Sequence, residues 1–234
     1  MSVNIRKRQK KLEKQKAKKK AERKQLARRQ SQGMPARLLA VAAAPILHCC
    51  HTSSLWDVGI GNVLVSRELR NGNVAFAMFL VDVCCLGVKD VFFDICPRTI
   101  YDSRLYDKLL EGGGVRHIRP EAARKLVEGA VEYAGRFDLP PHLDYSVGKL
   151  IFGDIATNDC TEEFVFGRDG KPYFVAGPYD DAARSHFIMR ALEQSCGADG
   201  YHFTIPMMAP GDFDEIDEID DEYDEIDVDD EYDE

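Results

Sequence analysis

Two apolar runs, residues 63–69 and 74–83, flank an Asn71-Gly72 pair. Asn-Gly between apolar runs predicts a β-hairpin, because the tightest two-residue turns need positive φ at both positions. The second run, VAFAMFLVDV, has no polar residue before Asp82 and so predicts a central strand covered on both faces. Gly87 breaks the pattern, and residues 88–95 predict a third strand ended by Pro97.

Helical spacing takes over further along. Residues 120–137 place Leu126, Val127, Ala130, Val131, Ala134 and Phe137 on one face, with Pro120 suited to the first turn and Gly129 as an internal cost. Shorter helices are predicted at residues 36–44, stopped by Pro45, and at 103–110, closed by Gly112, Gly113 and Gly114. Residues 138–162 predict a long connection with little regular structure beyond 149–152. Trp56, in an earlier connection, is expected to be a packing anchor.

A second hairpin is predicted from residues 163–166 and 172–175 around Asp169-Gly170. Asp180 is the expected N-cap of a following helix that buries Ala183, Phe187, Ile188, Ala191 and Leu192 and stops at Gly197. Residues 201–205 close the pattern as a short strand. The order predicts an α+β fold: an antiparallel sheet built from two hairpins, with three to four helices packed on it.

Charge changes this picture at both ends. Residues 1–30 hold nine Lys and five Arg against Glu13 and Glu22, a net of 14 − 2 = +12. Residues 211–234 hold sixteen Asp or Glu and neither Lys nor Arg. The full chain carries −9, which leaves −9 − 12 + 16 = −5 for the stretch between. Three parts follow: a basic arm and linker at 1–35, disordered or conditionally helical; one α+β domain at 36–210; and an acidic, low-complexity, disordered tail at 211–234.

The arm is the strongest functional signal. Arg6, Lys7, Arg8, Lys10, Lys11, Lys14, Lys16, Lys18, Lys19, Lys20, Arg23, Lys24, Arg28 and Arg29 form a cationic run with no aromatic residue among them. Such a run binds nucleic-acid backbone by releasing counterions and offers no base stacking. RNA is expected ahead of DNA, with ribosome association as one form of it. The tail is expected to compete for the arm or to attract basic proteins, since opposite charges share one chain. The arm lacks the apolar face that a membrane surface would require, so no membrane partner is expected.

The remaining candidates carry less. Seven cysteines, four of them in the adjacent pairs Cys49-Cys50 and Cys84-Cys85, suit a reducing compartment and a cytoplasmic location. The apolar stretch 38–50 is interrupted by Pro45 and His48 and is too short to span a bilayer. A signal peptide is not expected, because the basic region preceding that stretch is too long. His48-Cys49-Cys50-His51 has metal-ligand residue types, but adjacent ligands suit one tetrahedral ion poorly, and no metal or cofactor is expected. Asp82, Asp90, Asp94 and Asp154 would suit Mg²⁺ in a nuclease only if the fold gathered them. Asp82 is more simply a strand-end carboxylate satisfied by backbone or by Lys89. A Cys85 nucleophile paired with His117 or His186 is weaker still. The Gly112–Gly114 run lacks the Lys and Ser/Thr of a P-loop. Two acids follow Gly177-Pro178-Tyr179, where a phosphate would sit.

The leading expectation is therefore an accessory protein rather than an enzyme, with no catalytic residue assigned. The alternatives are a hydrolase, or a metal-dependent nuclease, with a pocket between the sheet and residues 138–162, and an adaptor working through the acidic tail.

Overall fold

The computed structural model describes residues 33–158, 160–177 and 182–204. The basic arm, the acidic tail and the expected cap Asp180 lie outside the described residues. The fold is α+β, and its centre is the predicted hairpin. Strands β2 (Ile60–Glu68) and β3 (Asn73–Asp82) pair antiparallel, with Val63 opposite Phe79 and Val65 opposite Ala77. Their connection differs from the expected two-residue turn. Only Gly72 takes positive φ (76°), while the Asn71 side chain accepts the Asn73 N–H.

Strand β4 (Gly87–Pro97) pairs with the far side of β3, as the sequence pattern predicts. Two strands were not predicted. β1 (Ile46–Thr52) pairs with β2, and β5 (Val115–His117) pairs with β1, giving the order β4-β3-β2-β1-β5, antiparallel throughout.

Both faces of β3 are covered, which is why it reads as unbroken apolar sequence. On one face Ala75, Ala77, Phe79 and Val81 join Val63 and Val65 beneath helix α5 (Pro120–Gly135), which supplies Ala123, Leu126, Val127 and Ala130. On the other, Val74, Phe76 and Leu64 lie beneath Tyr101, Leu105 and Tyr106. Those three belong to one helical run: α3 (Arg98–Tyr101), a π-helical segment (Asp102–Tyr106) and α4 (Asp107–Glu111). Gly129 inside α5 now has a reason. A Cβ there would lie 2.9 Å from a ring carbon of Phe166, so glycine admits that ring against the helix.

The second hairpin forms only its turn. Arg168 and Lys171 exchange backbone hydrogen bonds of 2.7 and 3.0 Å, with Asp169 and Gly170 both at positive φ. The flanks do not ladder, because Phe164 and Phe166 pack into the main core and Gly167 N–H donates to the Val83 carbonyl. Strand β6 (Tyr173–Val175) instead pairs in parallel with β7 (His202–Thr204), and helix α7 (Ala182–Cys196) lies between them in sequence. The inward face of α7 also differs from expectation. Ser185, Ile188 and Leu192 are buried, whereas Ala183 is exposed and Phe187 is 59% exposed.

The predicted connection 138–162 holds helix α6 (Tyr145–Gly148) and the 3₁₀ turn Lys149–Phe152, and cations tie it to the body. Buried Arg67 donates from Nε to the Ile151 carbonyl (2.8 Å), from Nη2 to that of Phe152 (2.9 Å), and from Nη1 to that of Ala44. From α5, Arg124 donates to the Ile155 carbonyl and Lys125 to those of Cys160 and Glu162.

Three backbone groups on the outer edge of β4 are engaged within the chain. Asp90 and Asp94 each accept the next residue's N–H, Val91 at 2.8 Å and Ile95 at 2.7 Å, and His142 N–H donates to the Val88 carbonyl. The remaining short elements are α1 (Met34–Val41), which precedes β1, and α2 (Leu55–Val58), which leads into β2. Among the described residues no helix is long and apolar enough to cross a membrane.

Candidate functional site

A cavity of about 790 Å³ opens where β2 begins and β3 ends, within the size range of small-molecule sites. The chain creates it by turning sharply after an apolar strand. Asp82 Oδ1 accepts the N–H groups of Cys84 (2.8 Å) and Cys85 (2.9 Å), so the carboxylate closes the turn that returns as β4. Gly87 completes the return at φ 64°, where a Cβ would sit 2.8 Å from the Ala130 carbonyl oxygen of α5. The turn is thereby pressed against the helix, and Asp82 is held in one place.

Burial leaves Asp82 only 8% exposed and pushes its carboxyl up to about 6, against the opposing pull of the backbone N–H groups and Lys89. A carboxyl titrating there can take and return a proton near neutrality. Across the strand pair Asp90 lines the same cavity, 3.9 Å from His142 Nε2. His142 comes from the 138–162 connection and accepts the Asp144 N–H on Nδ1. Tyr173 of β6 borders the cavity with its ring held twice: its hydroxyl lies 2.9 Å from Thr204 Oγ1, and the Arg168 guanidinium lies 5.1 Å from the ring centre. Val58, Ile60, Leu80 and Val175 supply apolar wall, and Lys89 and Arg184 bring positive charge. Cys84 also lines it, but burial and then Asp82 push its thiol up, away from the nucleophilic thiolate.

The fourteen arm cations lie outside the described residues. Of the four aspartates considered together, Asp82 and Asp90 share the cavity. Asp94 caps its own neighbour along β4, and Asp154 sits near Arg67 instead. Among the described residues no three metal-ligating side chains converge. The Cys85 pairing is overturned. Cys85 is fully buried with Phe174 and Leu192, its thiol pushed up by burial, while His117 lies beside the Tyr106 hydroxyl (3.3 Å) on β5 and His186 is exposed on α7.

The pleat of β1 sends His48 and Cys50 toward one face and Cys49 and His51 toward the other. His48 enters a network that the sequence does not announce. Tyr101 Oη donates to Ser66 Oγ (2.9 Å), His48 Nδ1 lies 2.9 Å from Tyr101 Oη, and the His48 ring stacks on Tyr106 at 3.9 Å. Burial, then Arg98, pushes the His48 pKa down. Ser66 and Tyr101 are sealed in the core, so this network supports the helical run over the sheet.

His142, Tyr173 and Arg184 escape sequence reasoning because they reach the cavity from three distant segments. Asp82 does not, since it is the first polar residue to interrupt a wholly apolar strand. Comparison of the chain with protein-family models, with curated proteins and with solved structures found no match.

Proposed function

We propose that the protein is an accessory factor that associates with nucleic acid, RNA ahead of DNA, through the cations from Arg6 to Arg29. One observation carries this reading: fourteen Lys and Arg stand against two Glu within thirty residues. The contacts are to phosphate and do not read sequence. The acidic tail competes with phosphate for the same arm, and basic proteins are the tail's other class of partner. Seven unpaired cysteines fit a cytoplasmic setting for this work.

Affinity for a mixed-sequence single-stranded RNA should fall by about 300-fold or more between roughly 50 and 200 mM salt, if six or more phosphates are neutralised. Converting the arm cations to Gln in the full chain should abolish binding, and removing residues 211–234 should tighten it at low salt. Filter binding across a salt series measures all three. Affinity indifferent to salt and to the arm would reject the reading. Recovery of basic proteins alone, lost with the tail, would favour the adaptor instead.

A second reading is favoured by Asp82 in the cavity: a hydrolase in which this carboxyl exchanges a proton with water or a leaving group. Hydrolysis of RNA or nucleoside phosphates by the wild-type chain should then show a pH limb near 6. Asp82→Asn should lower the rate by about 10²-fold or more while leaving the fold intact. Turnover undiminished in that variant would remove Asp82 from the chemistry.

A further inference from the structure

We infer that His48 is a proton-operated latch: neutral, it holds the helical run 98–111 on the sheet, and a proton added at Nε2 lets that run loosen. This goes beyond both readings above and rests on neither.

The hydrogens of the His48 network fix which ring nitrogen is bare. Ser66 Oγ accepts the His48 backbone N–H (3.0 Å) and donates its own hydrogen to the His48 carbonyl (3.3 Å). Tyr101 Oη donates its single hydrogen to Ser66 Oγ, so it meets His48 Nδ1 at 2.9 Å with lone pairs alone. Nδ1 must therefore carry the ring hydrogen, and Nε2 is the atom that titrates.

The surroundings disfavour a second proton. The ring is half-buried, stacked on Tyr106, and its centre lies 6.5 Å from that of His117 on β5. From the helical run, Arg98 repels a charged ring and Asp102 attracts it. Arg98 Nε, however, already holds both Asp102 oxygens at 2.8 and 2.7 Å, and Glu68 of β2 lies 3.5 Å from the same guanidinium. Tyr101, Tyr106 and Cys50 have their own pKa values pushed up by burial and stay neutral. The Tyr106 face offsets part of the cost by cation–π attraction. Burial and then Arg98 prevail, and the His48 pKa falls below 6.5.

The run is the part of the fold able to yield. Across residues 98–111 only Tyr101 is buried, and the π-helical turn Asp102–Tyr106 brings the Tyr101 and Tyr106 rings together beside His48. An element with so few buried contacts opens at a low free energy. Opening carries Arg98 away and returns His48 to water, where it titrates near 6.5. The closed state is therefore favoured in full above 6.5 and loses ground as pH falls toward the lower folded value. Opening bares Leu64, Val74 and Phe76 of the sheet.

Two measurements on the full chain test this together. Long-range ¹H–¹⁵N spectra of the histidine rings give the His48 tautomer and its pKa. Hydrogen exchange over a pH series from about 7.5 downward, corrected for intrinsic rates, gives the opening of each amide. Neutral His48 should carry its hydrogen on Nδ1. Once pH is below the measured pKa, opening of amides 102–111 should have risen about tenfold for each unit by which that pKa lies below 6.5. The α5 amides should stay protected throughout.

His48→Gln should flatten the dependence to within about twofold, and His117→Gln should keep it. An Nε2–H tautomer, or opening that ignores the His48 titration, would overturn the latch. So would an acid step lost in His117→Gln and kept in His48→Gln. If His48→Gln leaves the run unprotected at every pH, the tenfold relation in the wild-type chain decides the matter.

Discussion

Replacing Arg67 with methionine should destabilise the protein by about 3–5 kcal/mol. Arg67 is 4% exposed, and its guanidinium satisfies three backbone carbonyls, those of Ala44, Ile151 and Phe152. Methionine fills much of the volume but donates nothing. Each buried carbonyl left without a partner costs about 1–3 kcal/mol, partly relieved where water can follow. Arg67→Lys keeps the charge but cannot reproduce the planar fork, so its cost should be about half as large. Burial holds the guanidinium pKa down, with Asp154 opposing, yet arginine stays protonated throughout the accessible pH range. The loss should therefore be nearly the same at pH 6 and pH 8. Urea denaturation of the three proteins measures it, and a cost below about 1 kcal/mol would mean the connection holds its place without the clamp.

Asp82→Asn should do the opposite. Its folded carboxyl titrates at about 6 against an ordinary 3.8, so folding favours the protonated form. A raised carboxyl contributes stability that is fully present below about 3.8 and is lost as pH rises through 6. A shift of about two units corresponds to roughly 3 kcal/mol. Asparagine removes that penalty and keeps an oxygen for the Cys84 and Cys85 N–H groups. The variant should gain about 1–3 kcal/mol at pH 8, shrinking to about 0.5 kcal/mol near pH 4. Urea midpoints at the two pH values check it, and a difference that does not change with pH would show a carboxyl fully solvated in the fold. The same residue lines the cavity at the end of β3.

The parts of the fold that local rules govern were legible beforehand. Asn71-Gly72 and the apolar run after it announce β2 and β3, and the spacing from Leu126 to Ala134 announces α5. β1 escaped because Pro45 and two histidines interrupt an otherwise apolar stretch, and its alternation only makes sense once both faces of the sheet are covered. β5 is three residues long, too short for any periodicity. The Asp169-Gly170 turn is real, but a turn says nothing about whether its flanks will pair. Phe164 and Phe166 had a larger apolar surface to bury in the main core. For the candidate site, Asp82 was visible as an anomaly, whereas its companions His142, Tyr173 and Arg184 depend on tertiary approach between segments far apart in sequence.

The borders of the five-stranded sheet bear on how this protein behaves at high concentration. A strand joining β4 from outside would need the Val91 and Ile95 N–H groups and the Val88 carbonyl, and all three are already engaged within the chain. The opposite border, β5, offers only three residues. Cross-β polymerisation grows by adding strands to a vacant border, and on β4 these engaged groups interrupt the row that an added strand would use. The carboxylates of Asp90 and Asp94 thus make β4 a poorer template for a second chain.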